Sequence, residues 1–196
     1  MERIIEVKGF EHIKQWEKII DQWIDNNLTY IQQTKKTDCI YWHNERANVG
    51  TLLGAIWQLG GAGTIEFEAE KKKKNDEGEY EGQIDLYFIL DDIEYIVEAK
   101  FLRGKDVTNG NIKTEIEDAL KDSKSSSTQN NVENTMSLVF IIPITEVDIK
   151  AIYKKMYPNE QLNIFAKLQV DENIEYKENT YNTVYLLGKY CKQGEE

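Results

Sequence analysis

The sequence is short of several things, and each shortage narrows what the chain can be. Cysteine occurs only at Cys39 and Cys191, far apart and without the paired spacing of a metal knuckle. A disulfide framework is therefore not expected, and free thiols in a reducing cytoplasm are. Histidine is as rare: His12 and His43 lie 31 residues apart, which argues against a histidine metal site or a nucleophilic triad. No apolar run reaches the ~18 residues of a membrane span, so no membrane association is expected. The opening "MERIIEVKGFEHIKQW" has no secretory apolar region, and a cytoplasmic location is the expectation. Glycine-rich phosphate loops are missing too, since "GGAG" at 60–63 lacks a following Lys-Ser/Thr and comes after a helix. Positive charge is the last scarcity. Against 35 acidic residues stand 24 basic ones, a net charge of -11. A general polyanion binder needs a basic footprint, so any nucleic-acid role must draw on a local patch or a divalent cation.

What remains is ordinary globular material: 196 residues, 40% hydrophobic and 30% charged, enough for one domain with a real core. A short strand opens at "RIIEV". Helical spacing of Ile13, Trp16, Ile20, Trp23, Ile24 and Ile31 predicts a helix over roughly 11–31, and a second runs over roughly 41–59 to the "GGAG" stop. "TIEFEAE" alternates as a half-exposed strand. "NIKTEIEDALKDSK" and "EVDIKAIYKKMY" carry amphipathic helical stripes, and "SLVFIIP" reads as a central strand buried on both faces. "LNIFAKLQV" and "NTVYLLG" supply later strands. A mixed sheet flanked by helices, an α/β sandwich, is the expected fold. The polar run "KDSKSSSTQNNVENT" (121–135) reads as a surface loop. "KKKK" at 71–74 reads as a solvated charged loop, with phosphate contact as the sharper alternative. Trp16, Trp23, Trp42 and Trp57 are expected in the core.

The chemistry concentrates in "GQIDLYFILDDIEYIVEAK", residues 82–100. With "LDDI" as the turn, directly opposed positions set Phe88 against Tyr95, Leu86 against Val97, Asp85 against Glu98 and Gln83 against Lys100. Strand alternation then places Asp85, Glu98, Lys100 and Gln83 on one face. Ile84, Leu86, Phe88, Tyr95, Val97, Ala99 and Phe101 fall on the other. Opposed residues have Cβ atoms about 4.5–5.5 Å apart, where like charges destabilise the pair. Two carboxylates at that spacing call for a proton or a cation between them. Hard divalent cations bind through one or two carboxylates together with substrate phosphates. Lys100 stands where it can orient an attacking water or stabilise developing negative charge. The plain alternative is a solvated salt-bridge patch. Tyr87, Ile89 and Ile96 on the same face argue for cover rather than open solvent.

A fourth acid points the same way. In "YWHNERANVGTLLGAIWQL", Glu45 lies within the apolar stripe of Trp42, Val49, Leu52, Leu53 and Ile56. A glutamate on a core-facing stripe is rarely unpaired. Either it pairs with Arg46 or a lysine, or it sits at a frayed first turn, or it joins the hairpin acids around a shared metal.

An acid on the first core helix, an Asp on the second strand and Glu-x-Lys on the third resemble the PD-(D/E)xK nuclease superfamily, the restriction-endonuclease-like fold. The residues are Glu45, Asp85 and "EAK" at Glu98 and Lys100, and the likeness covers roughly 41–144 of a single 1–196 domain. On that likeness residues 1–40 form an N-terminal helical extension and 145–196 add a helix and strands. The resemblance implies a metal-dependent nuclease that hydrolyses phosphodiester bonds with Mg²⁺ or Mn²⁺. Asp85, Glu98 and Glu45 are then metal ligands, and Lys100 is catalytic beside them. DNA is the implied substrate, and a homodimer or a partner subunit is compatible with it. A catalytically inactive nuclease-fold interaction module, or a nuclease subunit that needs a partner to bind DNA, is the alternative.

Overall fold

A computed structural model describes residues 1–72, 79–130, 132–145, 147–171, 174–176 and 179–192. In chain order the elements are β1 (Glu2–Val7), α1 (Ile13–Gln33), a 3₁₀ turn (Ile40–Trp42), α2 (Glu45–Gln58), β2 (Ala62–Lys72), β3 (Glu79–Leu90) and β4 (Ile93–Gly104). There follow α3 (Asn109–Asn130), β5 (Asn134–Pro143), α4 (Ile149–Met156), β6 (Ile164–Gln169), the short pair β7 (Glu175–Tyr176) and β8 (Asn179–Thr180), and β9 (Thr183–Lys192). Seven strands form one mixed sheet in the order β1-β6-β9-β5-β4-β3-β2. Only β4 and β5 pair in parallel, joined by the α3 crossover. β5 occupies the middle position and is buried from Thr135 to Pro143, as its unbroken apolar run predicts.

Helices cover both faces. On one, α1 and α2 set Trp16, Ile19, Ile20, Trp23, Ile24, Leu52 and Ile56 against Leu86, Phe88, Tyr95, Val97 and Ala99 of the hairpin. On the other, α3 and α4 set Ile112, Ile116, Ala119, Ile149 and Tyr153 against Leu102, Val139, Ile141, Phe165 and Leu187. The first helix is thus structurally continuous with the main core. Buried Gln15 fastens it to the hairpin: its Nε2 donates to the Leu90 carbonyl at 2.8 Å, and the Tyr95 hydroxyl donates to its Oε1 at 2.7 Å.

The hairpin turns at Asp91 and Asp92, both with positive φ (51° and 62°), the type I′ geometry whose twist matches the strands. Its ladder pairs Leu90 with Ile93, Phe88 with Tyr95 and Leu86 with Val97, the register expected from the sequence. There the ladder ends, one pair short of Asp85 and Glu98. Beyond it β3 continues paired to β2 alone, with Gln83 beside Glu68 and Ile84 beside Phe67. In this two-stranded arm the β2–β3 pairing skips Glu66, whose φ is 53°, and Asp85, and β2 packs against α3. This break in the ladder corrects one expectation. Ile84 joins Ile96 and Val132 in a small separate cluster rather than the Leu86–Phe88 core face.

Three further expectations are corrected. Residues 121–130 of the supposed surface loop continue α3, with Ser123 and Ser126 fully buried. The Ser123 hydroxyl meets that of Ser137 at 2.7 Å, so polar positions on the sheet compensate for serine's poor helix propensity. The start of "KKKK" departs from the loop expectation. Lys71 and Lys72 extend β2 opposite Tyr80 and Glu79, while Lys73 and Lys74 lie outside the described residues. Trp57, in the last turn of α2, is 57% exposed, whereas Trp16 and Trp23 are fully buried.

Trp16 is the keystone of the α1–hairpin contact, edge-on to Phe88 at 5.8 Å and to Tyr95 at 5.7 Å. Trp16→Ala is expected to cost about 3–5 kcal/mol, the range for emptying a large aromatic site. Urea denaturation checks this. A midpoint within error of the wild type would show that the packing is not limiting.

Candidate active site

Where β3 and β4 separate, one backbone amide of β4 loses its neighbouring strand. The Asp85 carboxylate takes its place, Oδ2 accepting from the Ala99 N–H at 2.7 Å. That bond holds Asp85 at the mouth of the fork and fixes one oxygen. The other has no protein partner among the described residues. A cleft of about 310 Å³ opens beside it, lined by Asn44, Glu45, Arg46, Val49, Ile65, Glu66 and Asp85.

Glu45 enters this cleft from the first residue of α2. Asn44 caps the helix, its side chain accepting from the Ala47 N–H at 2.8 Å, which aims the first turn at the fork. The alternative of an ion pair with Arg46 is not met among the described residues, where Arg46 bonds Glu66. Partly buried, the Glu45 carboxylate has neither hydrogen bond nor ion pair among the described residues. Burial pushes its carboxyl up to about 7 from an ordinary 4.5. The charges of Asp85, Glu115 and Glu98 add to the rise, and Lys100 opposes it.

β4 contributes the other two residues, both held by α3. Glu98 is only 2% exposed, and the Ser126 hydroxyl donates to its Oε1 at 2.6 Å. Lys100, 24% exposed, donates to Asp122 at 2.9 Å. Burial acts to discharge Lys100. The Asp122 bond and charge, with Asp85 and Glu45, outweigh it and hold the ammonium above its ordinary pKa. Glu115, also on α3, is raised by burial and by Asp118 while Lys100 opposes.

Glu45, Asp85, Glu98 and Lys100 thus share one electrostatic neighbourhood at the fork. Among the described residues, however, no three His, Cys, Asp or Glu side chains already converge as a metal-binding group. Gln83, the weakest of the expected group, is exposed on the arm. His43 bonds Asp38 at 2.9 Å. Sequence reasoning missed Glu115, Asp122 and Ser126. Their separations of seven and four residues put them on one helical face, a signal hidden by reading the serine run as loop. The donor set is all carboxylate, which suits a hard divalent cation. Half-buried Glu45, short of any positive partner but Lys100, suits it further. Comparison with protein-family models, curated proteins and solved structures returns no match.

Because its folded-state pKa is raised, protonated Glu45 contributes stability below about pH 4.5 that is lost as the pH rises through about 7. Glu45→Gln mimics the protonated acid. In metal-free protein at pH 8.5 it is expected to raise Tm by about 2–4 °C, the effect of ~1 kcal/mol in a chain this size. The gain should disappear towards pH 4. Calorimetry at both pH values checks it, and an unchanged or lower Tm at pH 8.5 would contradict the assignment.

Proposed function

We propose that the chain is a divalent-metal-dependent nuclease of the restriction-endonuclease-like fold, acting on DNA phosphodiester bonds at the β3–β4 fork. One observation carries this proposal: Glu45, half-buried and without a bond of its own among the described residues, lines one cleft with Asp85 and feels the charges of Asp85 and Lys100. Such an arrangement is poorly stable as it stands and is relieved by a cation. The helix–strand–strand placement of Glu45, Asp85, Glu98 and Lys100 supports the same assignment.

Asp85, Glu98 and Glu45 would hold Mg²⁺ or Mn²⁺. Bound there, the ion supplies Lewis-acid polarisation of the phosphoryl oxygen and a lowered pKa for the attacking water. Asp85 is already oriented by the Ala99 N–H, so one carboxylate needs no reorganisation. Glu98, whose Oε1 accepts from Ser126, would have to turn a carboxylate oxygen towards the cleft. Lys100 commits one of its three N–H donors to Asp122. The remaining two can hold the attacking water or a phosphate oxygen, stabilising charge as it builds at the phosphorus. Asp122 keeps Lys100 charged for that work.

A second proposal, a nuclease-fold interaction module without activity, draws on the net charge of -11, which repels a polyanion.

Incubation of the protein with plasmid and linear DNA plus Mg²⁺ or Mn²⁺ separates the two. Lys100→Ala is expected to slow cleavage about 10²–10³-fold, the usual effect of removing one charge-stabilising donor. Asp85→Ala should do at least as much. Either variant cutting at the wild-type rate would remove that residue from the site. No cleavage by the wild type, together with no calorimetric metal binding, would favour the interaction module.

A further inference from the structure

We infer that Arg103 is the positioning residue that sets Glu45 at its working distance from Glu98 and Lys100. The inference rests on the metal site proposed above. The backbone leading into α2 presents four successive carbonyls, from Tyr41 to Asn44, and two side chains capture all of them. Buried Asn48 donates through Nδ2 to the Tyr41 carbonyl at 3.0 Å and the Asn44 carbonyl at 2.8 Å. Arg103 donates through Nη1 to the Trp42 and His43 carbonyls, each at 2.9 Å. Its guanidinium also lies 4.2 Å over the Trp42 ring, which packs in turn on Tyr181 with ring centroids 3.6 Å apart.

The two clamps do different work. Asn48 belongs to α2 and can only shape the turn from within. Arg103 comes from β4, the strand that carries Glu98 and Lys100. It lies three residues beyond Lys100, about 10 Å along the strand, and its odd spacing turns it to the α2 face. One rigid strand therefore supplies two site residues on one side and, on the other, the clamp for the turn that launches the third. Glu45 follows the second captured carbonyl by two residues. Its carboxylate has no bond of its own among the described residues, so its position is inherited from that backbone. A guanidinium suits the task, because its rigid fork can serve two carbonyls while its plane stacks on an indole. A lysine would keep the charge and lose the fork.

The test is a double-mutant cycle on metal affinity, with Mn²⁺ titrated by calorimetry into the metal-free full chain. Arg103→Met is expected to bind Mn²⁺ about 10-fold more weakly, as loss of groups that orient a ligand does elsewhere. Arg103→Lys should recover part of the loss. In the Glu45→Gln background, Arg103→Met should weaken binding no further, because the two act as one unit. Thermal melts of the same proteins provide the structural control. Arg103→Met lowers Tm in both backgrounds, while the affinity loss appears only where Glu45 is present. Wild-type affinity in Arg103→Met, or a full second loss on top of Glu45→Gln, would overturn the role. If Arg103→Met does not fold, Arg103→Lys carries the same cycle. A flat titration with the wild type would overturn the metal site itself and this role with it, an outcome distinct from an additive cycle.

Discussion

The bond from the Ala99 amide to the Asp85 carboxylate is the constraint on which the rest of this structure turns. In a continued ladder that amide would be given to the neighbouring strand's backbone. Given to a side chain, it allows β3 and β4 to part without leaving a buried donor unsatisfied. The parting is what makes a fork, and the fork admits α2's first turn to the sheet. Without that substitution, Asp85 and Glu98 would sit as an opposed like-charged pair.

Other features follow from the same departure. Once free of β4, the β2–β3 arm packs against α3 through β2, and Ile84 finds Ile96 and Val132. α3 closes over Glu98 through Ser126, which explains how a carboxylate next to the central strand comes to be almost wholly buried. A buried carboxylate needs donors, and Ser126 meets that need from the part of α3 least suited by propensity to be helical. Asp122, one turn earlier, takes Lys100. The serine-rich stretch is therefore helical because of what it caps beneath it, a tertiary effect overriding local preference.

This division explains how much could be read from sequence. The hairpin register was legible because alternation and a two-residue turn leave little freedom, and Phe88 and Tyr95 duly face one another. The central strand, both helical layers and the place of Glu45 on the apolar stripe of α2 were legible from periodicity, whereas its grouping with the hairpin acids came from the family resemblance. The end of the ladder was not. A side chain standing in for a backbone acceptor has no pattern in the sequence, so Asp85 looked like one more paired position. Ser126 and Asp122 were hidden for the opposite reason, because composition spoke for a loop. Trp57 was misplaced because a helical stripe does not say where the partner surface stops.

The acidic balance of the chain bears on the proposed chemistry in a specific way. Asp85, Glu98 and Glu115 all act on Glu45 at the fork, and Lys100 is the positive charge that opposes them there. A phosphodiester approaching this cleft in the metal-free state would meet repulsion, and Glu45 would answer by keeping its proton near neutral pH. On the proposed function, one divalent cation changes both terms: it favours the ionised carboxylates and offsets the charge of the incoming phosphate. Substrate binding and metal binding would then be coupled through the same acids, each strengthening the other as linkage requires. An acidic nuclease of this kind would discriminate against nucleic acid when metal is scarce. On that proposal, the feature that weighs against DNA binding in the sequence would become, at the fork, the source of metal dependence.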